Sequence, residues 1–179
     1  ENDESLLIYD QFDIWQIDPM GVKPSINITG GLGRKNNLVL RNINLDREDR
    51  FIKKNQTLLL NVFNRKNKGS GLKTHIMGTL FEISASSATL PMRISAVLKA
   101  KDAAVISFGT ETFQRSSNIS VIDWKPNSLL QDVQTAQSLH QPNPQQSQYN
   151  WGTAELFTWK AYTGKTAEGI VYKQEDFDP

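Results

Sequence analysis

Residues Thr57 to Phe63 read TLLLNVF, and the three consecutive leucines decide what kind of sheet this strand belongs to. Side chains alternate between the two faces of a strand, so a sheet covered on one face shows alternating apolar and polar residues. This stretch instead places leucines on both faces, as does Leu38-Val39-Leu40. The sequence therefore predicts a sheet packed between two others, as in a β-propeller blade, with a β-sandwich core strand as the alternative.

Short runs of apolar, β-branched and aromatic residues, separated by turn residues, extend along the whole chain. The runs predicted as strands are Leu6–Tyr9, Ile14–Ile17, Ile26–Ile28, Leu38–Leu45, Thr57–Phe63, Thr79–Ile83, Met92–Leu98, Ala103–Phe108, Ile119–Trp124, Glu155–Tyr162 and Gly169–Tyr172. The predicted turns are Asp18–Gly21, Gly30–Gly33, Asn64–Gly71 and Tyr162–Lys165. Ser128–Gln141 has spacing that a helix could use, but it is predicted as an irregular outer strand and loop. This pattern predicts an all-β fold.

A weak internal repeat supports the propeller alternative. IWQID (Ile14–Asp18), LFEIS (Leu80–Ser84) and ISVID (Ile119–Asp123) begin 66 and then 39 positions apart. Propeller blades repeat at roughly 40–50 residues. A short strand follows a proline after each of the first two copies, in PSINIT and in PMRIS. General similarity between hairpins is the alternative explanation.

The composition excludes several classes of function. The 179 residues are 38% hydrophobic and 22% charged, with a formal net charge of +1, so nothing favours nucleic acid as a partner. Cysteine is absent, which excludes disulfides, thiolate metal sites and a cysteine nucleophile. No apolar run approaches the ~20 residues of a membrane span. A periplasmic or secreted location is favoured over a cytoplasmic one. A strand pattern begins already at Leu6, and this abrupt start is interpreted as the mark of an excised piece.

The sequence offers little that could carry catalysis. No G-x-S-x-G is present, and Gly69-Ser70-Gly71 is predicted as a flexible hairpin tip. Gly30, Gly31 and Gly33 are predicted as a turn that needs positive φ rather than a dinucleotide loop, because no helix pattern follows. His75 and His140 are predicted as surface or hydrogen-bonded strand histidines. No catalytic, cofactor-binding or metal-ligating residue is assigned.

Two further groups of residues have alternative interpretations. The carboxylates of Asp46, Glu48 and Asp49 alternate with arginines and are predicted as a solvated turn. The four tryptophans are predicted to pack between blades or domains, and a flat aromatic platform for sugars is the alternative. They are Trp15, Trp124, Trp151 and Trp159.

Three segments resemble the prolyl oligopeptidase family of serine peptidases. YDQFDIWQIDPMG (Tyr9–Gly21) and KAKDAAVISFGTETFQRSSNISVIDW (Lys99–Trp124) are similar to hairpins of the TolB-like propeller in that family. The most specific segment is NPQQSQYNWGTAELFTWKAYTGKTAEGIVYKQEDFDP (Asn143–Pro179). It resembles the junction at which the family's chain leaves the propeller and begins the hydrolase sheet.

The resemblance implies a partial propeller of about three blades over residues 1–148, followed by the junction and first hydrolase hairpin over 149–179. The catalytic serine, aspartate and histidine of the family lie beyond such a junction, so this chain alone is expected to be non-catalytic. The implied partners are its own hydrolase domain and the short peptides that the propeller admits, and open strand edges suggest self-association. The alternative is a stand-alone TolB-like or β-sandwich module that binds a protein or a glycan.

Overall fold

The computed structural model describes residues 4–46, 48–84, 88–124, 133 and 135–178, and most of their regular secondary structure is β-strand. The strands are β1 (Leu6–Tyr9), β2 (Ile14–Ile17), β3 (Ile26–Asn27), β4 (Leu38–Ile43), β5 (Thr57–Asn64), β6 (Ser70–Ile76), β7 (Arg93–Lys99), β8 (Val105–Thr112), β9 (Arg115–Asp123), β10 (Gln137–His140), β11 (Thr153–Lys160) and β12 (Thr166–Lys173). A short helix α1 covers Leu32–Asn36, and a 3₁₀ turn covers Pro144–Gln148. The predicted all-β class is confirmed. None of the described helices has the length and apolarity to cross a bilayer.

The described strands form four antiparallel sheets, and in each of them strands that are neighbours in sequence are also neighbours in space. The first sheet is β1-β2-β3, the second is β4-β5-β6, and the third is β7-β8-β9-β10. The C-terminal hairpin, β11 and β12, is paired in register from Thr153↔Lys173 to Lys160↔Thr166. Three consecutive meanders and a separate hairpin therefore make up the fold.

The second sheet is buried on both faces. On the face toward the first sheet, Leu58 and Leu60 belong to an apolar cluster with Ile14 of β2 and Ile28, which follows β3. Leu59 faces the other way and packs with apolar residues of the third sheet, including Ile106. Burial of a leucine stabilises a fold by ~1.5–3 kcal/mol, so the sequence pattern has a clear energetic reason. The prediction that the TLLLNVF strand lies in a sheet packed on both faces is confirmed.

The polar segment after β3 does not form the plain turn that was predicted. Gly30 and Gly31 have φ of 62° and 72°, as expected, but they lead into helix α1. Gly33 lies within that helix, and its φ is not positive. The expectation that no helix follows was wrong, because the buried Asp13 carboxylate accepts hydrogen bonds from the backbone N–H groups of Gly33 and Arg34 (2.9 and 3.0 Å). This long-range contact has no local sequence signal.

The prediction of a strand at Thr79–Ile83 was wrong. The strand that follows β5 lies earlier in the sequence, at β6, where glycine and the polar residues Lys73 and His75 obscure the apolar alternation. Phe81 is nevertheless buried and packs on the core from an irregular segment. The apolar run therefore contributes to the core without joining a sheet.

The internal repeat is also corrected by the structure. Its first copy lies on β2 and its third on β9, whereas the second, Leu80–Ser84, is not a strand, so the copies are not equivalent. In the segment predicted as an outer strand and loop, β10 (Gln137–His140) forms the edge of the third sheet, whereas Val133 is helical. The prediction was therefore right for the end of the segment and wrong at Val133. Residues 128–132 and 134 lie outside the described residues.

Candidate functional site: the aromatic junction cleft

The connection between the third sheet and the C-terminal hairpin is held by two glutamine side chains. Gln146, in the 3₁₀ turn, accepts a hydrogen bond from Ser116 N through Oε1 (2.9 Å) and donates one from Nε2 to Gln114 O (2.8 Å). Gln114, at the tip of the β8–β9 turn, donates from Nε2 to Gly152 O (3.1 Å). We call these contacts the glutamine latch. They fix the start of the hairpin against the tip of the third sheet.

Gly152 and Trp151 complete the junction. A Cβ placed on Gly152 would overlap the carbonyl oxygen of Lys173, so only glycine permits the close backbone approach at the base of the hairpin. The indole N–H of Trp151 donates to Gln146 O (3.0 Å), which orients the ring beside the latch. The conformation of this segment is therefore set by specific contacts on both sides.

Four large aromatic side chains converge at the junction. They line a cleft of about 650 Å³ together with polar residues of the hairpin base, and the aromatic members are Phe113, Tyr149, Trp151 and Tyr172. Phe113 and Tyr172 pack with ring centroids 5.2 Å apart. Each of the four is 44–65% exposed. We call this the junction cleft, and its exposed aromatic rings make it a candidate binding surface.

The C-terminal hairpin presents apolar side chains on both faces. Its inner face carries Glu168, whose carboxylate pairs with Lys68 of the β5–β6 turn (2.7 Å), and Tyr172, which contacts Phe113. The hydrogen bond from Lys68 lowers the pKa of Glu168. The inner face thus contacts the tips of both the second and the third sheet. Leu156 and Ile170, on the same face, remain 42% and 55% exposed.

The outer face of the hairpin carries a flat aromatic pair. The rings of Phe157 and Trp159 stack with centroids 6.0 Å apart and planes 21° apart. Trp159 lies over Gly169 on the neighbouring strand, where no side chain obstructs it. Phe157 and Trp159 are 53% and 45% exposed, so the face is uncovered in this chain. A pair between Lys173 and Glu155 (2.6 Å) bounds it at the hairpin base.

A second cluster of polar residues is structural. Asp13 is 1% exposed, and besides the helix N–H groups it accepts a hydrogen bond from the Thr29 hydroxyl (2.8 Å). Nearby, Asp10 accepts from the backbone N–H of Asp13 (2.6 Å) and from Arg34 (3.0 Å). The backbone N–H of Asp13, with further donors, holds the pKa of Asp10 well below its usual range. Every partner belongs to the fold, so this network orders the chain rather than binding a ligand.

The two histidines lie in different environments. His75 on β6 is buried, and its Nε2 has no hydrogen-bond partner in the described structure. The prediction of a surface or hydrogen-bonded histidine was therefore wrong for this residue. Its ring packs edge-on to that of Phe81, with centroids 5.2 Å apart. Burial, and then the charge of Lys73, lowers the pKa of His75. His140 is exposed on β10. Within the described ranges, no group of three His, Cys, Asp or Glu side chains could hold a metal ion.

The tryptophans divide between packing and exposure. Trp124 is half-buried against the core between the second and third sheets, as predicted. Trp15 is partly buried, with its indole N–H near Asp10 (3.3 Å). Trp151 and Trp159 are exposed in the described structure.

Comparison with known proteins identifies no family. No family model matches the chain, and no curated protein matches it. Function must therefore be inferred from the geometry of the junction and the sheets.

The sequence did not predict the glutamine latch, since nothing local distinguishes Gln114 and Gln146 from other surface glutamines.

Proposed function

We propose that this chain is the non-catalytic propeller portion of a prolyl-oligopeptidase-type serine peptidase. In this proposal the three stacked sheets form part of a wall that limits access of short peptides to a hydrolase domain. The C-terminal hairpin is then the first hairpin of that domain's sheet. Exclusion by the size of a gap needs no reactive side chain, which fits a chain to which no catalytic residue is assigned.

The observation that carries the proposal is the uncovered C-terminal hairpin. A two-stranded hairpin alone is at best marginally stable in water, and this one places Phe157, Trp159 and Ile170 in solvent. Such a hairpin needs further strands and a covering layer, both of which a hydrolase sheet supplies. The glutamine latch and the Lys68–Glu168 pair would then set the position of that domain against the sheets.

The stacking of the sheets gives independent support. The second sheet lies between apolar clusters shared with the first and the third, which is the relation between neighbouring propeller blades. The third sheet is a four-stranded meander, the usual size of a blade. A partial ring leaves edge strands open, and we expect the isolated chain to self-associate through them.

An active-site probe tests the proposal. The complete reading frame that encodes this chain is expressed, treated with a fluorophosphonate and digested for mass spectrometry. We expect one labelled serine outside residues 1–179, within a G-x-S-x-G sequence, and no labelled serine in the 179-residue chain. Absence of any labelled serine in the complete product, or labelling within residues 1–179, would falsify the proposal.

The aromatic pair on the outer face favours a second candidate, a glycan-binding module. Sugar rings stack on flat exposed aromatic surfaces, and Phe157 and Trp159 form one. Titration with a panel of oligosaccharides tests this candidate, with Trp159→Ala as the binding variant and Trp15→Phe as the control. Saturable binding that is lost only in Trp159→Ala supports the glycan module, and no binding across the panel eliminates it.

A further inference from the structure

A separate cavity lies between the second and third sheets, at the end away from the C-terminal hairpin. Its volume is about 370 Å³, within the roughly 300–1,000 Å³ range of small-molecule sites. It is formed by the end of β4, the start of β5, the loop between them, Lys99 at the end of β7 and Trp124 after β9. We call it the intersheet pocket. It shares no residue with the junction cleft.

The loop that lines the intersheet pocket carries a cation without an ion pair. Arg50 lies on this loop, and it forms no ion pair with a described residue. The pocket thus offers a guanidinium to an anionic group of a ligand.

The other charged residues that line the pocket limit the kind of ligand that it could bind. A second cation, Lys99, lines the pocket and donates to the backbone oxygen of Ala100 (3.0 Å). Two carboxylates, Asp46 and Asp49, line it as well, and Asp49 forms an ion pair with Lys53 (4.0 Å). A ligand that carries both an anionic and a cationic group therefore finds a complement for each charge.

The pocket also has apolar surface. Phe51 and Ile52 of the loop and Trp124 after β9 supply it. Such a surface suits an aliphatic or aromatic side chain, whose burial stabilises binding. A purely charged metabolite would leave this surface uncovered.

We propose that the intersheet pocket binds a free α-amino acid with a large apolar side chain. The ligand's carboxylate binds Arg50 and Lys99, its ammonium group pairs with the carboxylates of Asp46 and Asp49, and its side chain lies against Trp124. The proposal does not depend on the function proposed above, since both a propeller portion and a stand-alone module contain these sheets.

Calorimetric titration of the 179-residue chain with L-leucine and L-phenylalanine tests the proposal. We expect saturable binding of at least one of them. Removal of either charge from that ligand, as the N-acetyl derivative or the carboxamide, should weaken binding roughly tenfold or more. Equal binding of the blocked derivatives, or no saturable heat with either amino acid, overturns the proposal.

Two variants locate the binding. Arg50→Gln lies on an exposed loop and should fold normally, and we expect it to weaken amino-acid binding roughly tenfold or more. Lys54→Gln, an exposed lysine of the same loop outside the pocket, is the matched control and should bind as the unmodified chain does. Unchanged affinity in Arg50→Gln, or an equal loss in Lys54→Gln, contradicts the assignment of the site.

Discussion

Asp13 shows how one buried carboxylate can organise a segment that has little local preference for its structure. It joins β2 to Thr29 and to the start of α1, and its partners include two backbone N–H groups. A helix of five residues with glycines at its start would not form in isolation. The side chain therefore supplies the hydrogen-bond acceptors that the first turn of α1 needs.

Asp13→Ala should lower the free energy of unfolding by about 3 kcal/mol. The substitution leaves the N–H groups of Gly33 and Arg34 without their acceptor, while the Thr29 hydroxyl retains Asn27 Oδ1 (2.9 Å). Hydrogen bonds to charged groups are worth roughly 1.5–3 kcal/mol. Urea unfolding measures the loss. Asp18→Ala is the control, because Asp18 also accepts three backbone N–H groups but is exposed to water. An equal loss in the two variants would mean that burial of Asp13 is unimportant.

His75 predicts a pH dependence of stability. Its pKa is lowered in the folded chain by burial and by Lys73, so the unfolded chain binds a proton near pH 6.5 that the folded chain does not. The stability contributed by neutral His75 is therefore present above about pH 6.5 and is lost as the pH falls below it. In urea unfolding at pH 7.5, 6.5 and 5.5, His75→Phe should reduce this slope, and the exposed His140→Gln should retain it. A slope unchanged in His75→Phe contradicts the prediction.

At the scale of the elements, the glutamine latch couples the hairpin to the third sheet. Gln146→Ala removes both side-chain bonds, to Ser116 N and Gln114 O. A hydrogen bond contributes about 1 kcal/mol, so we expect the Ser116 amide to exchange with deuterium roughly tenfold faster. Gln145→Ala, next to it and exposed, should leave the exchange unchanged. Equal exchange in the two variants would show that the latch does not hold this turn.

The second sheet gives the sharpest test of packing on two faces. Leu59 and Leu60 are adjacent, point in opposite directions and are 3% and 0% exposed. Leu59→Ala and Leu60→Ala should each cost about 2–5 kcal/mol, since each removes packing from a different apolar cluster. The control is Leu80→Ala at an 81% exposed position, with a change within about 0.5 kcal/mol. A small effect for either buried leucine means that one face is open.

These elements also show how far the sequence could predict the fold. Runs such as Thr57–Phe63 and Leu6–Tyr9 carry enough β-branched or apolar residues to indicate strands, and the structure confirms them. β6 was missed because its inward-facing polar residues, among them His75, hide the period of two. Helix α1 and the glutamine latch depend on contacts between residues distant in sequence, which no local pattern records.

The chain as a whole is a row of stacked meanders with an uncovered hairpin across the tips of the last two. The meanders have their own core, since apolar clusters join the first sheet to the second and the second to the third. Among the described residues the hairpin contributes to neither cluster, and apolar side chains on both of its faces are largely exposed. This contrast is the physical basis for the inference that the hairpin belongs to a larger sheet.

Hydrogen exchange along β11 and β12 tests that inference most directly. Amides that point away from the partner strand should exchange fast in the 179-residue chain, because among the described strands no third one pairs with them. In the complete translation product, we expect many of these amides to become strongly protected as the hairpin joins a hydrolase sheet. Equally fast exchange of the same amides in both proteins would contradict the account.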